Sequence, residues 1–415
     1  MTLADTLRAI VGDTHVLVRP AELIVYESDG LPGYHRRPSL AVFPADADEA
    51  LRVVRALAAE GVPFVPRGAG TGLSGGALAD GTVLLGLQRM RKILEIDPVR
   101  RVARVEPGVV NVSLTKAAAP FSLHYAPDPS SQTACTLGGN LAENAGGPHC
   151  LKYGVTLNHV VGAVVALPDG EVVTLGDPHG TGDVAGYDLL GAFVGSEGCF
   201  GVALELTVKL TPNPERVVTL LADFTSINDA AETVSAIIAA GVLPAALEMM
   251  DQATIGAVES SIYAAGYPTD AAAILLVEVD GAAAGLDDDV QAALLAQIAE
   301  IGGRHRVRVC NVFHAGDGNL HPNIAYDAGD ADESARVHLA MKEIMQACID
   351  AGGTITGEHG VGLDKLAYMD SLFTPDTLDA MCRIRDVFDP DRRANPGKVV
   401  PVRFCREQRP HKSAG

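Results

Sequence analysis

The sequence predicts an α+β protein, and three observations carry that reading. Leu40–Phe43, Asp46–Ala59 and Pro63–Val65 read as strand, amphipathic helix and strand, a single βαβ unit. Residues 100–212 are mostly short β-rich runs separated by glycine-rich loops. Beyond residue 216, strands at Val217–Phe224, Ala246–Met250 and Ala271–Val279 alternate with an alanine-rich helix at Asp229–Ala240.

Each element has a local cause. Asp46 or Asp48 can cap the first helix, whose Leu51, Val54, Leu57 and Ala58 fall on one face. Thr82–Leu87 and Val102–Glu106 are strands, the second stopped by Pro107-Gly108. Val160–Leu167 and Glu171–Leu175 flank Pro168-Asp169-Gly170, a hairpin signal. Val202–Leu210 is a strand, Pro212–Glu215 a linker, and Val290–Ile301 a helix after the acidic patch Asp287–Asp289.

The 415 residues, 47% of them hydrophobic, suffice for two or more cores. A net charge of -20 argues against nucleic-acid binding, because phosphates would be repelled over most of the surface. The cysteines at 135, 150, 199, 310, 348, 382 and 405 are odd in number and widely spaced, which suits reduced thiols in a cytoplasmic protein. No signal peptide and no apolar run of bilayer length is expected.

Pro66-Arg-Gly-Ala-Gly-Thr-Gly-Leu-Ser-Gly-Gly76 contains G-x-G-x-x-G, but the context of a dinucleotide-binding helix fails. A helix propagates poorly through Gly75-Gly76 and the Asp80-Gly81 turn, and a strand follows directly. A strand–glycine loop–strand still presents backbone N–H groups to an anion, with Thr71 and Ser74 as further donors. Two more loops of this kind, Ala126–Gly154 and Val194–Gly201, are too long and polar to be core.

Cys310-Asn-Val-Phe-His-Ala-Gly-Asp-Gly-Asn-Leu-His-Pro-Asn323 predicts a tight hairpin at Asp317-Gly318. A two-residue turn there sets Gly316 opposite Asn319, Ala315 opposite Leu320 and His314 opposite His321, with both imidazoles on one face. In an arbitrary protein such a pair is surface decoration. Thr354–Thr356 reads as a short strand running into Glu358-His359, which glycines bracket.

Together PRGAGTGLSGG, APDPSSQTACTLGGNLAENAGGPHCLKYG, FVGSEGCFGV, FHAGDGNLHPN, TGEHGVG and ANPGKV resemble the FAD-dependent D-2-hydroxyacid dehydrogenases, the glycolate oxidase flavin subunits among them, from about Tyr26 to Val400. The resemblance implies a two-subdomain FAD-binding domain of the vanillyl-alcohol-oxidase (PCMH) type, followed by a shortened α+β substrate cap. Its boundaries would be an N-terminal segment at 1–35, the flavin domain at 36–214, the cap at 215–400 with its end returning to FAD, and a tail at 401–415.

It also implies non-covalent FAD. Pro66, Arg67, Gly68, Gly70, Thr71, Gly72, Leu73, Ser74 and Gly75 would hold the pyrophosphate. Pro129, Ser130, Ser131, Thr136, Gly138, Gly139, Asn140, Asn144 and Gly147, with Gly195, Glu197 and Gly198, would line adenosine and flavin. Asn395 and Lys398 would lie by the isoalloxazine, and His149 and Cys150 sit where a covalent link could be asked about. A divalent metal, zinc or a similar ion, falls to His314, His321 and Glu358, an open catalytic ligand set.

The implied reaction oxidises a small D-2-hydroxyacid such as glycolate or D-lactate. His359 removes the hydroxyl proton, Asn323 hydrogen-bonds the substrate, and flavin accepts the hydride. Companion FAD-binding and iron–sulfur subunits are implied too, with a peripheral position at the inner membrane through them.

One departure matters. Ala282–Val309 is shorter than in the family, and the Arg and Lys that grip the substrate carboxylate have no counterpart; Arg304, Arg306 and Arg308 carry no argument for that role. The rival reading is therefore an FAD-binding subunit of a complex, with little turnover alone. A weaker third is a sugar or aromatic-alcohol oxidase.

Overall fold

A computed structural model describes residues 2–31, 33–177, 179, 186–215, 217–239, 243–280, 308–327 and 329–401. The expected helix at 290–301, the acidic patch, and Arg304 and Arg306 lie outside them. The chain divides into two compact units, one of residues 1–146, 155–213 and 358–415, the other of 147–154 and 214–357. The segment after residue 357 thus counts with the first unit, and 147–154 with the second.

The first unit holds two sheets. β1 (Val16–Leu17), β2 (Leu40–Val42), β3 (Phe64–Arg67) and β4 (Val83–Gly86) lie in the order β1-β2-β4-β3, with β2 and β3 parallel to β4. The helix Ala47–Ala59 joins β2 to β3, and the Asp46 carboxylate caps it by accepting the Glu49 N–H at 3.0 Å. It buries Ala50, Val53, Val54 and Leu57, so the inward face is rotated from the one expected. Each such leucine or valine contributes about 1.5–3 kcal/mol by leaving water.

The second sheet is antiparallel. β5 (Ile93–Asp97), β6 (Val102–Val105), β8 (Val160–Ala166), β9 (Val172–Gly176) and β10 (Val202–Lys209) run in the order β5-β6-β10-β8-β9. A separate two-strand ribbon pairs β7 (Leu123–His124) with β11 (Thr211–Pro212). The Pro168–Gly170 hairpin forms as expected, with Gly170 at φ +88°. The helix Pro375–Phe388 also belongs here; Thr374 caps it and Phe388 stacks on Phe200 at 4.7 Å.

The second unit is one antiparallel sheet in the order β12-β14-β13-β15-β16. These are β12 (Val218–Phe224), β13 (Ala246–Asp251), β14 (Ala273–Val279), β15 (Arg308–His314) and β16 (Asn319–Ala325). Helices Ile227–Ala239, Gln252–Glu259 and Ala331–Asp350 accompany it. Leu247, Met249, Leu275 and Val277 pack with Val234 and Ile238 of the first helix.

Three expectations are corrected. The stretch 126–154 is not all loop: Thr136 caps a helix over Leu137–Glu143, and a short one spans Cys150–Tyr153. Thr354–Thr356 is not a strand. Cys135, Cys150, Cys199 and Cys348 are free thiols, but Cys382 is disulfide-bonded, so the thiols are not all reduced.

Candidate functional site

In the first unit, segments far apart in sequence converge on the Pro66–Gly76 loop. The loop joins β3 to β4 with no helix between them, and Gly70 and Gly75 take φ of +75° and +76°. Arg67 braces it from within: its Nη2 donates to the Ser28 carbonyl at 2.8 Å, and a Cβ on Gly70 would collide with the guanidinium. Thr71 and Gly72 crowd Gly30 with their carbonyls, and Leu73 is exposed. Gly68 abuts the Thr136 hydroxyl, where Thr136 Oγ1 accepts the Gly139 N–H.

The helix that Thr136 caps carries Gly138, tight against Pro107, and Asn140. Before it, Pro129 and Ser131 turn the chain by accepting the N–H groups of Gln132 and Ala134, leaving Ser130 exposed. Asn144 ends the helix in the left-handed region, and its Oδ1 accepts the Leu157 N–H. The Gly195–Gly198 turn docks there through Gly195 N–H to the Leu141 carbonyl and Glu197 N–H to the Ala142 carbonyl. Gly198 packs on Pro66. Gly147 belongs instead to the second unit, its N–H directed at Cys150 Sγ.

The C-terminal segment closes this assembly. Residues 393–395 run beside β3, with Asn395 N–H donating to the Phe64 carbonyl. Asn395 Nδ2 donates to the carbonyls of Gly76 and Glu197, and Lys398 Nζ to Gly76, Leu78 and Asn395 Oδ1. The Ser74 carbonyl accepts the N–H groups of Leu363 and Asp364. Glu358 and His359 begin that same stretch, with Glu358 Oε1 3.7 Å from His359 Nε2.

Ser74 Oγ, Asn140 Nδ2, Glu143 Oε2 and Glu197 Oε2 are buried without a protein partner. Buried polar atoms are ordinarily hydrogen-bonded, so these ask for a ligand rich in donors and acceptors. FAD fits that requirement through its ring carbonyls, ring N–H and phosphates. Burial first, then the neighbouring Glu197, pushes the Glu143 carboxyl well above the carboxylate range. Burial likewise raises Glu197, and lowers the ammonium groups of Lys365 and Lys398.

In the second unit, the hairpin register differs from the expected one. The turn takes four residues, Ala315–Gly318, so His314 faces Asn319, and His321 faces Val312. The displacement is two residues, which leaves both imidazoles on one face as diagonal neighbours. Their ring centroids are 5.1 Å apart, edge to face. Glu248 of β13 sits opposite His314 and its Oε1 lies 2.6 Å from His314 Nδ1, which orients the ring. Asn323 Nδ2 donates to the His321 carbonyl at 3.0 Å, and Glu358 follows Gly357 by one peptide bond. His149 Nε2 lies 3.1 Å from Glu278 Oε1 in this unit.

Sequence reasoning missed Glu143, Glu248 and Lys365. Glu248 had a signal, a carboxylate inside the apolar run Ala245–Met250. Glu143 and Lys365 had none, since their burial comes from segments distant in sequence.

Residues 38–176 match the model of an FAD binding domain, and residues 213–294 and 288–399 match that of the C-terminal domain of FAD linked oxidases. The chain belongs to the FAD-linked oxidase family. It is 41% identical to the glycolate oxidase subunit GlcD of Escherichia coli (strain K12), covering 95% of this chain and 90% of that protein. That alignment spans 453 positions, more than this chain's own length, so the relative carries residues that this family member lacks. D-lactate dehydrogenase of Anaerostipes hadrus is 31% identical over 88% of this chain and 90% of its own.

Among solved structures, p-cresol methylhydroxylase superposes with a TM-score of 0.80 at 16% identity, covering 97% of each chain. A 4-ethylphenol oxidase from Gulosibacter chungangensis gives 0.79 at 18%, again over 97% of each. These show the fold, a vanillyl-alcohol-oxidase type flavoprotein. The protein is an FAD-linked oxidoreductase. Among the described residues no helix is long and apolar enough to cross a membrane.

Proposed function

We propose that this oxidoreductase oxidises a small D-2-hydroxyacid, glycolate or D-lactate, to the 2-oxoacid. The observation that carries the reading is the imidazole pair His314–His321, held on one face of the cap sheet with Glu248 against His314 Nδ1. A carboxylate on one ring nitrogen leaves the other to ligate, the usual support of a catalytic metal histidine. His314, His321 and Glu358 would hold a divalent ion, zinc by its nitrogen and oxygen donors, with a position left open. Such an ion supplies Lewis acidity toward an α-hydroxyacid.

His359 then has one task, to take the hydroxyl proton, which an imidazole does near neutral pH. Asn323 orients the substrate through its amide. FAD, held by the Pro66–Gly75 loop, Thr136–Asn144, Gly195–Gly198 and the Asn395–Lys398 segment, supplies the hydride acceptor when bound. The names of the relatives, a glycolate oxidase subunit and a D-lactate dehydrogenase, support both substrates.

Anaerobic mixing with glycolate and with D-lactate tests this directly. Bleaching of the flavin band by either supports the reading; a band that stays unchanged with both, and with other 2-hydroxyacids, removes it. The subunit naming of the first relative supports a place in a multi-protein complex, and with it we propose companion FAD-binding and iron–sulfur subunits and, through them, a peripheral position at the inner membrane. Co-purification of a tagged chain from its native host tests that part.

A further inference from the structure

Glu143 and Glu197 come from different loops of the flavin unit and face the same two glycines. A Cβ on Gly76 would lie 2.9 Å from Glu143 Oε1 and 3.1 Å from Glu197 Oε2. One on Gly360 would lie 2.5 Å from Glu143 Oε2 and 2.7 Å from Glu197 Oε1. Two carboxyl groups therefore face the same space, which only glycine leaves open.

Glu197 Oε1 accepts the Val361 N–H at 2.6 Å, while Glu197 Oε2 and Glu143 Oε2 have no partner. The Gly362 N–H also serves Glu197, and the buried Lys365 ammonium faces both carboxyls. Lys398 already donates to three oxygens, Gly76 O, Leu78 O and Asn395 Oδ1. Ionised carboxylates only accept hydrogen bonds, so the buried oxygens Glu143 Oε2 and Glu197 Oε2 lack a donor, and one proton provides it. A second observation marks the place as a ligand site: Ser74 Oγ, fully buried and without partner, lies 3.5 Å from the same Gly76 Cβ position.

We propose that Glu143 and Glu197 hold one proton between them, and that the neutral carboxyl so formed donates a hydrogen bond to an acceptor oxygen or nitrogen of bound FAD. The inference rests on FAD binding and not on the substrate. Asp29, Lys365 and Lys398 are the other charged groups facing the pair, with Asp364 and Glu358 beyond Lys365. Burial also pushes the Lys365 and Lys398 ammonium groups down, so the comparison with Glu143→Gln is what isolates the proton on the pair.

The test uses the holoprotein. On dilution, the fraction of FAD released is read by flavin fluorescence from about pH 6 to about pH 9, where each pK unit of differential binding is worth a factor of ten. The wild type should lose affinity roughly tenfold or more over that range as the shared proton leaves. Glu143→Gln keeps a neutral donor, so it should hold FAD with a flat profile. A wild-type profile that is flat, or a Glu143→Gln profile parallel to it, overturns the proposal. Infrared spectra of wild-type holoprotein with 13C-labelled glutamate give an answer that does not depend on any variant's folding. A carboxylic-acid C=O band at neutral pH is expected, and its absence sinks the idea.

Discussion

The two units place functional groups by opposite means. In the first, backbone does the positioning: glycines at 68, 76, 360 and 362 have no room for a side chain, and carbonyls of Ser74, Gly76 and Glu197 are tied by Leu363, Lys398 and Asn395. In the second, a sheet face does it, with Glu248, His314 and His321 on adjacent strands. A backbone site tolerates little change in shape, whereas a sheet-face site depends on side-chain parity. Substitutions should therefore separate the two, cofactor retention failing in one and chemistry in the other.

The largest effect should come from the base. His359→Ala should slow flavin reduction by 2-hydroxyacid by about 10²–10⁴-fold, the usual worth of a positioned general base. The visible flavin spectrum should stay intact, and stopped-flow absorbance reads both. Next, Glu248→Ala should weaken metal binding about 10–100-fold, as loss of a carboxylate behind a ligating histidine does. Titration with zinc checks it, and FAD content should not change.

Breaking the backbone site should give the converse. Gly362→Ala would drive a Cβ into the Ser74 carbonyl at φ +51°, at a cost of about 1–3 kcal/mol. FAD should wash out during gel filtration while the imidazole pair still takes up metal. The smallest effect concerns pH. The folded pKa of Glu143 is raised above its ordinary 4.5 by burial and then by Glu197. That carboxyl favours folding fully only below about pH 4.5, and its contribution is lost as pH rises through the folded value. Thermal melts should therefore show Glu143→Gln gaining on the wild type as pH rises above about 4.5, with the two converging at the acid end.

The same contrast explains what was legible. The glycine loop could be read because its logic is local: Gly75-Gly76 and Asp80-Gly81 forbid a helix, and none forms between β3 and β4. That both histidines share one face of the hairpin follows from the sequence, though the expected register does not hold. Asp317-Gly318 suggested a two-residue turn, but Asp317 Oδ1 takes the Asn319 N–H and the turn widens to four residues. Strand side chains repeat every two residues, so a shift of two kept both rings on one side; a shift of one would have parted them.

What stayed hidden needed contacts between distant segments. The helix Leu137–Glu143 looked like polar loop because Gly138 and Gly139 disfavour helix, yet Thr136 caps it and Gly138 fits closely against Pro107. The Glu143–Glu197 pair exists only once that helix and the Gly195–Gly198 turn have docked. The helix Ala331–Asp350, capped by Asp330, drew no expectation although Val337, Ala340, Ile344 and Ala347 mark its buried face at helical spacing.

The central proposal is that oxidation of a 2-hydroxyacid by this flavoprotein depends on a metal held through His314 and His321. Its most direct measurement is anaerobic flavin reduction by glycolate and D-lactate, in holoprotein first stripped with a chelator and then reloaded with zinc. Reduction should vanish on stripping, return with zinc, and fail to return in His321→Ala. Equal bleaching by the stripped protein would contradict it.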